Sequence, residues 1–335
     1  MGRLDEPLNT FWQLMFKPTT EAPWSNQVEA TATATNGGLV LASAGGRSLI
    51  VGVRPSVDLT FTPLISTSDA ARSWSEGLVS QALAARPDAL ATDGDGQALA
   101  LVDDGGGARV LASTGDLSAW RTLTTAHALA AGGPGRSCAL RSLTAVSYLA
   151  GQALVGGSCA TPGVVGIFAH GGTAWRLAGP DLPPPLSHGR VEVLSLGGLE
   201  AGAYGLLAVV SGDKTDLVAA WSGPRGRWAI SPVLPLAADE HVASFGPADG
   251  RGLFVLLQGP SSGDELFVAG GRGTEWEQLA SPPPGTATVA FGTAAPADAL
   301  VATGTKLTIW SLGSGAGSWA PAQVITVPIE YGSSS

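Results

Sequence analysis

Charged side chains are scarce in this chain of 335 residues, at 13% of the total, against roughly 25% in an average soluble domain. Lysine occurs at only three positions, and the formal net charge is −9. Binding to nucleic acid requires clustered lysine and arginine that displace the counterions of the phosphate backbone. The sequence has no such basic cluster, and an anionic membrane surface would repel the chain, so we expect neither as a partner.

Long apolar runs and the short motifs of metal and nucleotide sites are also missing. No stretch approaches the ~20 apolar residues of a membrane-spanning helix. The four histidines lie far apart, and no HExxH, paired-cysteine or GxxxxGK[ST] motif occurs. The Asp-Gly pairs at 93–96 fit a hairpin turn better than a calcium loop. We expect no transmembrane segment, metal site, cofactor or catalytic residue, although a Ser-His-Asp triad assembled in space stays open.

Glycine and proline, by contrast, are frequent, at 47 and 23 residues. Both interrupt long helices and both are common in turns, so the composition favours many short strands joined by turns. Hydrophobic residues make up 44% of the chain, enough for a sizeable core. Helical spacing occurs at 76–87 and, more weakly, at 124–133, and we expect any helix there to lie in a connection between strands.

A tryptophan that follows a small or polar turn, as in GGTAW at 171–175, recurs along the chain at spacings of 50, 46, 55, 53, 48 and 43 residues. Each interval contains four short strand-like segments, which is the pattern of a propeller blade. We expect each of these tryptophans to pack between neighbouring blades. The seven are Trp24, Trp74, Trp120, Trp175, Trp228, Trp276 and Trp319.

The predicted fold is therefore all-β: a β-propeller of four-stranded antiparallel blades, with residues 1–335 in a single domain. Six complete four-strand units end near the last six tryptophans. The N-terminal hairpin either belongs to a seventh blade, which the seven equivalent tryptophans favour, or decorates a ring of six. In both cases we expect it beside the C-terminal segment at 322–331, since that contact would cover an open sheet edge.

The chain has two cysteines, Cys138 and Cys159, on either side of two strand-like runs. If these runs form a hairpin that turns at Gly151 and Gln152, the cysteines lie nearly opposite each other and within reach of a disulfide. A disulfide indicates an oxidising compartment, whereas the alternative is a pair of buried thiols in a cytosolic protein. We expect an extracytoplasmic protein, secreted or surface-anchored, whose signal segment is not present in this chain.

One turn, TSDAARSW at 67–74, resembles the Asp-box of sialidase-like propellers, Ser-x-Asp-x-Gly-x-Thr-Trp. Thr67, Asp69, Ser73 and Trp74 match the motif, and Ala71 stands where it has glycine. The resemblance implies that Asp69 accepts hydrogen bonds from turn amides and that the box is structural and remote from catalysis. The chain also is similar, in its Ala/Gly/Arg-rich composition, to secreted or lipid-anchored propeller proteins of high-GC bacteria.

These observations favour a non-catalytic module that binds a protein or a glycan, or serves as a scaffold, as a monomer unless a partner is bound. The first alternative is a sialidase-like glycoside hydrolase, which would need arginines and carboxylates clustered at one mouth of the propeller. The second is an assembly factor for a membrane complex. Tyrosine, the nucleophile of sialidases, occurs only at three positions, and we expect no enzyme activity.

Overall fold

The computed structural model describes residues 2–3, 10–11, 15–17, 19, 21–26, 39–44, 48–53, 64–77, 88–93, 96–103, 105–114, 117, 119–199, 202–223, 226–248, 252–270, 275–291, 297–313 and 317–326. The chain divides into two compact units. The first comprises Met1–Asn36, Asp239–Gly270 and Trp276–Ser335, and the second comprises Gly37–Ala238 and Gly271–Glu275. The single domain over 1–335 therefore stays a prediction.

The N-terminal part of the first unit forms two short antiparallel pairs. These are β1 (Gly2–Arg3) with β2 (Thr10–Phe11), and β3 (Met15–Phe16) with β4 (Ser25–Asn26). The described N-terminal strands are therefore only two residues long, and seven blades are not confirmed.

The second unit begins with two four-stranded antiparallel sheets in which consecutive strands are neighbours. The first sheet contains β5 (Leu39–Ala44), β6 (Ser48–Val53), β7 (Leu64–Thr67) and β8 (Ser75–Gly77). The second contains β9 (Ala89–Thr92), β10 (Gln97–Val102), β11 (Arg109–Thr114) and β12 (Trp120–Thr125). Both are blades of the predicted kind. Of the segment with helical spacing at 76–87, the first two residues belong to β8, and the other residues lie outside the described ranges.

Two short helices follow, α1 (Ala126–Ala131) and α2 (Gly133–Cys138). Thr125 caps α1 by accepting a hydrogen bond from the Ala128 amide, and Pro134 opens α2. This confirms the helix at 124–133. Neither helix, nor any other part of the described chain, is long and apolar enough to cross a membrane as a helix.

A nine-stranded sheet completes the second unit. Its first part contains β13 (Leu140–Leu149), β14 (Gln152–Cys159), β15 (Gly166–Gly171) and β16 (Ala174–Leu177). Its second part contains β17 (Arg190–Leu199), β18 (Gly202–Ser211), β19 (Lys214–Ser222), β20 (Trp228–Ile230) and β21 (Leu234–Leu236). A single bridge, Ser158 with Glu192, joins β14 of the first meander to β17 of the second.

The first unit contains the last two four-stranded antiparallel sheets. One contains β22 (His241–Ala248), β23 (Gly252–Gly259), β24 (Gly263–Ala269) and β25 (Trp276–Gln278). The other contains β26 (Thr286–Ala290), β27 (Asp298–Thr303), β28 (Lys306–Leu312) and β29 (Trp319–Thr326). Four of the sheets are thus separate four-stranded blades.

Burial differs between the second and the last strands of the sheets. Strands β10 and β23 are almost fully buried, whereas β16 and β29 are mostly exposed. In the last sheet only the start of the second strand, β27, is buried. The hydrophobic clusters collect residues from consecutive sheets: Leu99 and Val110 pack with Val155 and Phe168, for example.

Tryptophans that begin the outer strands link consecutive meanders within each unit. The Trp228 indole N–H donates to the Ala178 carbonyl, and Trp319 donates to the Ala280 carbonyl at 2.9 Å. Each acceptor follows the outer strand of the preceding meander. Trp175 is half-buried against the cluster that joins the sheet of β9–β12 to the meander of β13–β16.

The N-terminal hairpin contacts the C-terminal strand, as predicted. The Gln323 amide on β29 accepts from the Trp24 amide N–H at 2.8 Å and donates to the Trp24 carbonyl at 2.9 Å. The buried Asp298 carboxylate accepts from the Trp24 indole N–H at 3.1 Å and from Lys17 Nζ at 3.4 Å, and Ser311 also donates to it. The hairpin is therefore held by a buried, fully hydrogen-bonded carboxylate.

Replacing Trp228 tests whether a tryptophan braces consecutive meanders. We expect Trp228→Ala to lower the free energy of unfolding by ~3 kcal/mol, because apolar contacts are lost and a cavity remains. Trp228→Phe should cost ~1–2 kcal/mol, since the Ala178 carbonyl loses its donor. Urea unfolding followed by circular dichroism measures both. The neighbouring exposed Arg227→Ala is the control, and a Trp228→Ala loss no larger than that of Arg227→Ala would contradict the brace.

Candidate binding site

The disulfide between Cys138 and Cys159 fixes the start of the meander of β13–β16. Both cysteines are fully buried, and their Cα atoms lie 5.1 Å apart. The predicted pairing is therefore confirmed, but Cys138 ends helix α2 rather than lying in a strand, and Leu140 occupies the position opposite Cys159. The bond thus attaches the helix pair to β14, one residue beyond Ser158.

The hairpin that carries the two cysteines turns one residue earlier than expected. Leu149 pairs with Gln152, so Ala150 and Gly151 form the turn. Both have positive φ, at 48° and 76°, which is the geometry of a two-residue turn that matches strand twist. Alanine at the first position carries some backbone strain, since left-handed conformations favour glycine.

Polar residues meet at the ends of three strands beside the disulfide. Ser142 on β13 pairs with Ser158 on β14, and Ser158 forms the single bridge to Glu192 on β17. The two serine hydroxyls are hydrogen-bonded to each other at 2.7 Å, and Ser142 and Glu192 are exposed. Because Val193 packs against the face of β14 that carries Ser158, Glu192 projects from the opposite side of β17.

Two arginines lie next to the bridge between Ser158 and Glu192 along their strands. Arg190 lies two residues before Glu192, so it projects from the same face of β17. Arg141 is the extra residue of a β-bulge, where Leu140 and Ser142 pair with the adjacent residues Cys159 and Ser158. Bulges turn side chains out of the regular alternation, and both arginines are exposed. We call the residues around this bridge, Arg141, Ser142, Ser158, Arg190 and Glu192, the polar patch.

The three charged groups of the polar patch are not neutralised within it. Neither arginine nor Glu192 forms an ion pair within 4.0 Å with any other residue that the structure describes. The patch carries two positive charges and one negative charge in a chain whose net charge is −9. Solvent-exposed charges without protein partners are available to a ligand at low desolvation cost.

Close backbone approach makes the patch rigid. A Cβ at Gly156 would lie 2.6 Å from a Val193 methyl carbon, and one at Gly157 would lie 2.3 Å from the Ser142 carbonyl oxygen. Strand β14 therefore needs glycine at both positions. The Thr144 hydroxyl donates to the Val193 carbonyl and provides a further link between β13 and β17. The patch thus lies on strands that cannot move apart without breaking these contacts.

The turn at 67–74 is organised around Asp69. Its Oδ1 accepts from the backbone N–H groups of Arg72 and Ser73, at 3.1 and 3.0 Å, and from the Thr67 hydroxyl at 2.8 Å. Its Oδ2 accepts from the Ser73 hydroxyl at 2.6 Å. These hydrogen bonds, led by that of the Ser73 hydroxyl, hold the pKa of Asp69 well below its ordinary value. Asp69 therefore acts as a local brace of the turn.

Two alanines of this turn have left-handed backbone conformations. Ala70 and Ala71 have φ of 61° and 63°, and Ala71 lies where the sialidase-like motif has glycine. The Trp74 indole N–H is buried and has no hydrogen-bond partner among the described residues. The turn lies on the sheet of β5–β8, and among the described residues the Asp69 carboxylate accepts hydrogen bonds only from residues of the turn.

The other polar candidates from the sequence lie in turns or against an aromatic ring where the structure describes them. Within the described ranges, no cluster of three or more His, Cys, Asp or Glu residues could hold a metal ion. Asp93 accepts from the Gln97 backbone and side-chain amides, at 3.1 and 2.6 Å, in the turn expected there, while Asp95 lies outside the described residues. His170 lies against the Trp175 ring, with centroids 4.9 Å apart.

The tyrosines matter for a sialidase-like mechanism. Tyr148 belongs to a hydrophobic cluster, and burial, with a smaller contribution from Asp93, raises the pKa of its hydroxyl far above the ordinary value. Burial raises the pKa of Tyr204 to about 12. Both hydroxyls stay protonated at neutral pH, which is the opposite of what an activated nucleophile needs. Tyr331 lies outside the described residues.

Comparison with known structures shows the fold. A protein from Lactobacillus plantarum superposes with a TM-score of 0.53 at 12% identity, over 92% of this chain and 90% of that one. The GH74 xyloglucanase from Xanthomonas campestris, a β-propeller protein, gives 0.50 at 16% identity, over 82% of this chain and 44% of that one. No protein-family model and no curated protein matches the chain. The described sheets and these similarities together identify a β-propeller fold.

The brace at Asp69 gives a pH-dependent prediction. Because its pKa is lowered on folding, Asp69 contributes stability that is fully present above the ordinary aspartate pKa of ~3.9 and is lost as pH falls through the folded value. We expect Asp69→Asn to be less stable than the parent at pH 7 and the difference to shrink at pH 2–3. Urea midpoints at both pH values test this, with the exposed turn variant Asp213→Asn as control. An equal difference at both pH values would contradict the brace.

The left-handed residue at the glycine position gives a second prediction. We expect Ala71→Gly to raise the free energy of unfolding by ~0.5–1 kcal/mol, because glycine adopts positive φ without strain. This is a net value, since glycine also gains conformational entropy in the unfolded chain, which lowers the free energy of unfolding. Thermal and urea unfolding measure the change. Ala174→Gly, in an exposed strand with ordinary φ, is the matched control and should lose ~0.5–1 kcal/mol. A loss of stability in both variants would show that position 71 carries no strain.

Proposed function

We propose that this protein is a non-catalytic, extracytoplasmic β-propeller that binds a protein or glycan ligand through the polar patch. The observation that carries the proposal is a set of exposed charges and hydroxyls held on three strands without ion pairs to other described residues. The close strand contacts at Gly156 and Gly157 limit the backbone ordering that ligand binding costs. Scaffold function would use the same surface.

The disulfide supports the extracytoplasmic part of the proposal. Structural disulfides persist in oxidising compartments and are rare in the cytosol. This bond is fully buried and lies directly beside the polar patch. At the proposed site, the disulfide therefore anchors the α1–α2 connection to β14.

The composition of the patch favours binding over glycoside hydrolysis. Hydrolysis by most glycosidases needs two carboxyl groups on either side of the scissile bond. The patch contains two arginines but one carboxylate, Glu192, and the buried tyrosine hydroxyls are held protonated. An assembly factor for a membrane complex is a special case of the binding proposal, in which the ligand is a protein.

We also propose that the turn at 67–74 is an Asp-box, with Thr67, Asp69, Ser73 and Trp74 in the matching roles. The hydrogen bonds that Asp69 accepts from the turn amides support this assignment. The box braces one hairpin and contributes no group to the polar patch. Its function in this protein is therefore structural.

Site-specific cross-linking in intact cells of the native organism tests the proposed function. A photoreactive amino acid replaces Ser142 in one variant and Arg176, an exposed residue on an outer strand, in the control. We expect a discrete cross-linked species from position 142 only, accessible to a membrane-impermeant label and lost when Glu192→Gln is added. Equal cross-linking at both positions, or a product inaccessible to the label, would contradict the proposal.

A further inference from the structure

We propose that the N-terminal hairpin, residues 15–26, also docks on the last sheet, β26–β29, of a second copy of this chain, so that two molecules exchange hairpins. The inference is independent of the polar patch and of its ligand. It rests on a recognition site within the first unit. There the hairpin supplies two hydrogen-bond donors, and the last sheet supplies a buried carboxylate.

The last sheet leaves one oxygen of Asp298 for the hairpin. Asp298 begins β27 and is only 8% exposed. Ser311, the residue opposite it on β28, donates to Oδ1. Oδ2 accepts from the Lys17 ammonium at 3.4 Å and from the Trp24 indole N–H at 3.1 Å, and both donors belong to the hairpin. A buried carboxylate that loses its donors is costly, so a vacant site favours any segment that supplies the same two groups.

The hairpin is well suited to this site. Lys17 Nζ lies 5.9 Å from the centroid of the Trp24 ring, so the ammonium and the indole already lie together. Gln323 on β29 adds a third contact, because its side-chain amide accepts from the Trp24 backbone N–H and donates to the Trp24 carbonyl, at 2.8 and 2.9 Å. The occupant that fits is therefore a hairpin of this sequence, whichever copy of the chain carries it.

Side-chain contacts, rather than a shared sheet, attach the hairpin. Strands β3 and β4 form a separate two-stranded sheet with two residues in each strand, and an isolated hairpin is marginally stable in water. In the described part of the chain, the hydrophobic core clusters include no residue from 15–26. The hairpin can therefore undock without opening a core cluster, at a free energy below that of global unfolding.

The length of chain after the hairpin permits exchange. Twelve residues separate Asn26 from Leu39, which begins β5, and a chain of that length spans at most ~40 Å. Two copies that exchange identical hairpins fill both sites, so the product is a closed dimer rather than a growing chain. Docking within one molecule has the advantage of a high effective concentration, so the dimer fraction rises with protein concentration.

Charge reversal tests the exchange on the full chain. Lys17→Asp and Asp298→Lys each place two like charges at the site, both within a molecule and between identical copies. A mixture of the two variants forms opposite-charge pairs only between molecules. We expect light scattering to show monomers for each variant alone and, for the mixture, a 1:1 dimer about ten-fold more abundant than the parent dimer at the same concentration. The double variant, which restores an opposite pair within one chain, should behave as the parent.

A second measurement avoids substituting the buried Asp298. Parent protein labelled with heavy isotopes is mixed with unlabelled parent at high concentration and treated with a carbodiimide, which joins an ammonium directly to a carboxylate. We expect mass spectrometry to find cross-linked peptides that combine Lys17 of one label with Asp298 of the other. The absence of such mixed peptides overturns the proposal, whatever the variants do. A dimer whose Lys17–Asp298 peptides carry a single label would assign the association to another surface and would also overturn it.

Discussion

The close approach of β14 and β17 at Gly156 is the constraint on which the centre of the second unit depends. Without a side chain there, Val193 packs against the backbone of the preceding meander, and the single bridge between Ser158 and Glu192 can form. The apolar cluster that contains Val193, Leu154 and Leu207 lies on one side of this contact. The polar patch lies at its exposed end. Core packing and site geometry thus have a common origin.

The disulfide adds a covalent cross-link to the same region. It closes the segment between α2 and β14, and a closed loop of about twenty residues is worth ~3 kcal/mol in the chain-entropy model. The location of the disulfide matters more here than the size of this stabilisation. Because Cys159 follows Ser158 directly, the bond limits fraying at the end of β14, where ladder hydrogen bonds run out. A binding residue at a strand end gains precision from such a tether.

Much of the architecture could be predicted from the sequence. The tryptophan spacing located the outer strands because an aromatic at one fixed place per repeat has a packing cause, as the indole bonds of Trp228 and Trp319 show. The cysteine pairing also followed from hairpin geometry, although Cys138 ends a helix. The turn came one residue early because Ala150, like Gly151, has positive φ. Propensity alone disfavours alanine there.

The polar patch could not be predicted in the same way. Arg141, Ser142, Ser158, Arg190 and Glu192 come from three segments, and nothing in their local sequence marks them as a group. They meet because of a bulge at Arg141 and a single inter-meander bridge, and both features depend on tertiary packing. Arginine at a strand start is also ordinary for a solvent-exposed position. A signal existed only in the Gly156-Gly157 pair before Ser158, since two glycines inside a strand indicate close backbone approach. Periodic sequence patterns predict the scaffold, whereas the residues that we propose for binding lie where the regular pattern is interrupted.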